Sequence, residues 1–157
     1  MTLYKVLNKG LETLLVFLLS VLVIDVLWQV AARYLLSNPS SFTDELAGFL
    51  LIWVGLLGSA YVAGRKEHLA IDILLQKTRE SRRRNLELAI HLCIFIFALV
   101  AMCIGGIWLS YTRFILNVQS AALQLPLGYV YLVLPLSGSL IMYYSIYHIR
   151  HIRKTNN

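Results

Sequence analysis

The sequence predicts an all-α membrane protein: four transmembrane helices, both termini cytoplasmic, and a short amphipathic interfacial helix between spans two and three. Three observations carry this expectation. Hydrophobic residues make up 59% of the chain and charged residues only 14%, where about 25% charged is usual in soluble domains. The mean hydropathy is +0.71, and the apolar residues gather into long runs, each able to cross roughly 30 Å of hydrocarbon at about 1.5 Å per residue. Finally, four spans put the amino terminus, the central connection and the carboxyl terminus on one side, and every Lys and Arg except Arg33 and Arg113 falls there. The positive-inside rule makes that side cytoplasmic. Topology thus accounts for the net charge of +6. With no basic-aromatic interleaving in a polar domain, no nucleic acid partner is expected.

The reading is a single membrane domain over 1–157, with spans at about 11–36, 46–64, 86–111 and 125–147 and an interfacial segment at about 66–84. The first span follows Lys5 and Lys9. The apolar run lacks a small-residue cleavage site, so it reads as a span and not a removable signal. Asp25, Gln29 and Arg33 are spaced by four and share one helical face. Charge inside a span is costly, about 2.5–3.5 kcal/mol on insertion scales, so these residues should face protein, water or the interface. Asp25 reads as an interhelical hydrogen-bonded contact, with an ion or proton site as the alternative; Arg33 can snorkel to the headgroups.

Pro39 keeps the connection 37–43 from being helical throughout. Thr43 is the candidate N-cap of the second span, and Asp44 and Glu45 complement its dipole. A pair between Arg33 and Glu45 across this turn is also expected. Along the second span Glu45, Gly48, Ile52, Gly55, Ser59 and Ala63 form a stripe at helical spacing. Small residues let helices approach closely in lipid, so this is the candidate partner interface. Trp53 lies off the stripe, with an indole N–H that needs an acceptor.

From 66 to 84 apolar and polar residues mix, and Ile71, Leu74, Leu75 and Thr78 share a face, as in a helix lying in the interface. Arg79, Arg82, Arg83 and Arg84 then meet anionic phospholipid headgroups. His68 reads as a hydrogen-bonding residue, with Asp72 one turn on. The third span holds His91, a lone histidine that gives little support to haem, Gly105-Gly106 for flexibility or close packing, and Cys93 and Cys103. The cysteines are about 15 Å apart on a helix, too far for a disulfide, and read as inert packing. A polar connection, 113–124, leads to a fourth span with Pro126 in its first turn and a kink at Pro135. Tyr143, Tyr144 and Tyr147 read as an aromatic belt, and His148 and His151 as part of a basic tail.

Glu45-Leu-Ala, Leu50-Leu-Ile-Trp53, Leu57-Gly58 and Arg65-x-x-His68-x-x-x-Asp72 together resemble the signature region of the small membrane subunit of TRAP transporters, the DctQ-like family. The stretches around Pro126 and Pro135 resemble that family's last span. The resemblance implies a bacterial inner-membrane protein working beside two partners. One is a large membrane subunit that carries the substrate and sodium sites and moves like an elevator. The other is a periplasmic binding protein that delivers organic anions such as C4-dicarboxylates or sialic acid. The small subunit itself is implied to be a scaffold.

The residues themselves show no catalytic constellation: no paired carboxylates at one depth, no Cys-x-x-Cys and no phosphate loop. No enzyme activity, cofactor or metal is expected. Two rivals to the scaffold remain. One is a self-sufficient homo-oligomeric transporter or channel using Asp25 and Glu45; the other is a membrane subunit of an oxidoreductase.

Overall fold

In hydrocarbon every backbone N–H and C=O must be paired inside the protein, and helices do this within one segment. The computed structural model describes residues 2–35, 40–65 and 80–154, and these are helical nearly throughout. The helices are α1 (Thr2–Leu35), α2 (Ser41–Arg65), α3 (Glu80–Phe97), a π-helical stretch (Ala98–Ile104), α4 (Gly105–Ile115), α5 (Leu127–Tyr131) and α6 (Val133–Lys154). Among the described residues four stretches are long and apolar enough to span a membrane: Tyr4–Leu35, Ser41–Arg65, Arg84–Ile115 and Leu127–Arg150. The four-span expectation therefore holds, with each span longer than expected. His68, Asp72 and Arg79 lie outside the described residues, as do the side chains of Arg82, Arg83 and His151. Of the expected interfacial segment, 80–84 already belongs to α3.

The chain divides into two compact units, one of Met1–Gly58 with Trp108–Val133 and one of Ser59–Ile107 with Leu134–Asn157. In the first unit, α1 turns inward along Leu11, Leu15, Leu18, Leu22, Asp25, Gln29 and Ala32, none of them classed as exposed. The alternating steps of four and three are those of a coiled-coil seam. Arg33 is exposed, so it does not share the face of Asp25 and Gln29 as expected; a strict step of four drifts off the seam, and Ala32 takes the place.

The start of α2 also differs from expectation. Thr43 sits inside the first turn and its hydroxyl donates to the Ser40 carbonyl at 3.0 Å, so it is not an accepting cap. The last part of the third span stays helical to Ile115 and closes in a Schellman motif. Val118 N–H bonds the Arg113 carbonyl at 3.1 Å, Asn117 N–H bonds that of Phe114 at 3.2 Å, and Asn117 carries the left-handed φ of 52° that this cap requires. The connection 116–126 is thus built, not slack. Gln119 and Pro126 form a bridge, Ser120 N–H bonds Leu125 O at 2.9 Å and Leu127 N–H bonds Val118 O at 3.0 Å. Pro126 caps α5 from just outside, in an extended conformation, one position before the first turn expected for it.

In the second unit the buried residues Ala98, Met102 and Gly106 line up at steps of four. An α-helix overshoots such a line; the wider i→i+5 winding of the π stretch turns less per residue and keeps it straight. Gly105 N–H reaches back to Val100 O in this pattern. The expected kink at Pro135 appears as a break at Leu132, between α5 and α6. Pro135 has no N–H for the Tyr131 carbonyl, and its ring would strike that carbonyl in a continuous helix.

Candidate functional site

The residues singled out in the sequence converge on α2, whose first turn and whose later turns do different things. In the first turn the Glu45 carboxylate accepts three successive backbone N–H groups: Ala121 at 2.8 Å and Ala122 at 3.0 Å, and Leu123 at 2.9 Å. A run of turn amides aimed at one point is an anion-binding nest, and here the chain fills it with its own side chain. Two turns on, the Trp53 indole donates to the Val130 carbonyl at 3.1 Å, next to the interrupted turn at Leu132. The acceptor the indole needs is thus the carbonyl one residue before that of Tyr131, the one Pro135 leaves without an N–H. Trp53→Phe should lower stability by about 1 kcal/mol, the ordinary net worth of such a bond, read as a fall in thermal unfolding temperature in detergent.

Beyond Glu45 the stripe is open. Gly48, Ile52, Gly55 and Ser59 are exposed, and a Cβ built on Gly48, Gly55 or Gly58 meets nothing within 4 Å. Two members of the expected stripe leave it: Glu45 is engaged with the 121–123 amides, and Ala63 is buried at 9% exposure. Glu45 is three residues from Gly48 and Ala63 four from Ser59, and both fall at the edge of the stripe. The Arg33–Glu45 pair does not form, because the nest takes the carboxylate. Gly58, by contrast with Leu57 beside it, is not buried.

Asp25 is buried at 8% exposure, and its Oδ2 finds no hydrogen-bond partner among the described residues. The hydrogen-bonded contact expected there is not made by that oxygen. Arg65, at the end of α2, lies over the Tyr61 ring at 5.0 Å from its centre, a cation–π arrangement.

A polar cluster in the second unit escaped sequence reasoning. His148 is buried at 4% exposure, with Nε2 3.2 Å from the Gly64 carbonyl in the last turn of α2. Its ring stacks on His91 at 5.2 Å. His148 therefore belongs to the core and not to a basic tail. The signal was present: Ser137, Ile141, Tyr144 and His148 continue one buried stripe at steps of four, three and four. Tyr144, fully buried, likewise leaves the expected aromatic belt. The stacked rings also remove the premise that His91 stands alone, yet face-to-face imidazoles at this spacing leave no room for a porphyrin between them. Among the described residues no three His, Cys, Asp or Glu side chains form a metal-holding group. Both cysteines are free, and Cys103 Sγ rests 3.8 Å from the Pro135 carbonyl.

Comparison with known proteins places this geometry in context. The profile of the family described as tripartite ATP-independent periplasmic transporters, DctQ component, matches residues 22–155. The sialic acid TRAP transporter small permease protein SiaQ of Vibrio cholerae is 26% identical over 147 residues, covering 82% of this chain and 78% of that protein. A putative TRAP transporter small permease protein of Haemophilus influenzae is 26% identical over 134 residues, covering 85% and 81%. The sialic acid TRAP transporter permease protein SiaT of Haemophilus influenzae shares 32% identity over 73 residues, which is 44% of this chain and 12% of SiaT.

Proposed function

The chain belongs to the DctQ component family of tripartite ATP-independent periplasmic transporters, and from that premise we propose that it is a non-catalytic scaffold for a large membrane subunit. That partner would carry out sodium-driven, elevator-type uptake of an organic anion, sialic acid, a C4-dicarboxylate or a related carboxylate, delivered by a periplasmic binding protein. The chain would sit in the bacterial inner membrane with both termini in the cytoplasm, the side its Lys and Arg favour. A basic run including Arg82, Arg83 and Arg84 would hold it against anionic headgroups, each charge worth about 1 kcal/mol near such a surface.

One observation carries the scaffold reading: the chain spends its anion nest on its own Glu45, while the Gly48–Ile52–Gly55 face stays open. The 121–123 amides, which could hold a carboxylate, are engaged internally, and what the stripe offers a neighbour is close apolar contact. In lipid such contact comes from small residues that let backbones approach.

The test separates folding from assembly. Gly48→Leu and Gly55→Leu place a side chain in open space, so each variant should unfold at the wild-type temperature yet lose most of the co-purified large subunit. Undiminished recovery of that subunit with both variants would sink the proposal. So would liposomes holding this chain alone that accumulate a carboxylate under a sodium gradient.

A further inference from the structure

The longest helix carries a feature that the scaffold reading does not use. Away from its buried seam, α1 has a hollow of about 670 Å³ lined by Val6, Lys9, Gly10, Thr13, Leu14 and Phe17. Gly10 makes the floor, since a Cβ there meets nothing within 4 Å. The one hydroxyl in the lining is already spent, because Thr13 Oγ1 donates to the Lys9 carbonyl at 3.0 Å. The wall is therefore apolar apart from a single cation, the exposed Lys9, near the polar end of the span. From Lys9 to Phe17 the hollow runs about 12 Å along the helix axis, most of one leaflet of the roughly 30 Å hydrocarbon core.

A shallow, open apolar groove that runs inward from one positive charge matches the order of groups in an anionic phospholipid, phosphate first and acyl chain after. We propose that this hollow binds one anionic phospholipid, with the headgroup phosphate at Lys9 and an acyl chain lying over Gly10 towards Phe17. A second hollow on the same helix serves as an internal comparison. It measures about 460 Å³, is lined by Val16, Leu19, Ser20, Val23 and Ile24, and offers no cation. Its hydroxyl is also spent, on the Val16 carbonyl at 2.7 Å. Lipid chains passing there have nothing to select a headgroup, whereas Lys9 favours phosphate without a compensating choline. This site stands apart from the large-subunit assignment: it needs only the chain and the bilayer.

Native mass spectrometry of the full-length chain, released from micelles containing phosphatidylglycerol or phosphatidylcholine, tests it. The wild type should retain one phosphatidylglycerol in preference to phosphatidylcholine. Lys9→Gln should weaken phosphatidylglycerol retention about fivefold, as expected for the loss of about 1 kcal/mol from one basic contact, and leave phosphatidylcholine unchanged. Gly10→Leu fills the trough and should lower retention of both lipids, while Ser20→Leu should lower neither; an unchanged unfolding temperature in each variant separates binding from folding. Equal retention of the two lipids by the wild type, or a Lys9→Gln variant that behaves as wild type, overturns the proposal. So does Ser20→Leu matching Gly10→Leu, which would mean unselective annular lipid. Loss of a co-purified protein partner in Gly10→Leu with lipid retention unaltered overturns it as well, by showing a helix in the trough.

Discussion

Replacing Glu45 with Gln should free the 116–126 connection while leaving the helices intact. Gln keeps the length of the side chain but removes the charge and exchanges one accepting oxygen for an NH2 group, a donor. In the wild type both oxygens are used, one by Ala121 N–H and the other by Ala122 and Leu123 N–H. The variant would face three donors with one acceptor and a competing donor. Bonds to a charged acceptor are also roughly twice as strong as neutral ones. Hydrogen exchange of the Ala121–Leu123 amides should therefore speed up by roughly tenfold or more, while the α1 and α2 amides keep their protection. The Ser120–Leu125 and Val118–Leu127 bonds should loosen next, since the carboxylate holds the turn they close. Unaltered exchange across 119–126 would mean that the turn stands without Glu45, and that the nest is a consequence of the fold and not a support for it.

Adding one methyl group at Gly106 should damage the second unit more than any change on the open face of α2. A Cβ there would lie 2.8 Å from Leu134 Cβ, 2.9 Å from Pro135 Cδ and 3.1 Å from Pro135 N. None of those atoms can rotate away: one is a backbone nitrogen, one is in a ring, and one is fixed to its own backbone. Ala gains up to about 1 kcal/mol over Gly in a helix interior, but overpacking against rigid neighbours typically costs about 1–3 kcal/mol, so the clash wins. Gly106→Ala should lower the unfolding temperature in detergent. Gly48→Ala, where a Cβ meets nothing within 4 Å, should hold or raise it. If the two variants unfold together, the close approach at Pro135 is not a determinant of stability. Gly128 makes a softer contrast, because its clash of 2.6 Å is with the Phe114 ring, which can swing about its side-chain torsions.

Several details were legible in the sequence because they follow from one helix alone. The need of Trp53 for an acceptor and the break before Pro135 are properties of an indole and an imino acid wherever they occur. What could not be read was which acceptor the indole finds, since 77 residues separate Trp53 from Val130 and only packing brings them together. The same holds for His148. Its stripe was present at steps of four and three, but basic neighbours at Arg150, Arg153 and Lys154 read as a solvated tail. The partner that makes burial acceptable, the Gly64 carbonyl, lies on another helix. Thr43 misled because a Thr before acidic residues reads as a cap, whereas the helix begins earlier and its hydroxyl donates backward.

The four spans were therefore decided by the sequence alone, because hydrocarbon imposes its demand residue by residue, through length, hydropathy and the placement of charge; the family followed from the motifs between Glu45 and Asp72, which no hydropathy pattern supplies. Which face of α2 is open, where the Glu45 carboxylate goes and which glycines cannot be enlarged were decided only in three dimensions. Those outcomes depend on which atoms of distant segments come within hydrogen-bonding or van der Waals reach, and periodicity along one helix carries no information about its neighbour.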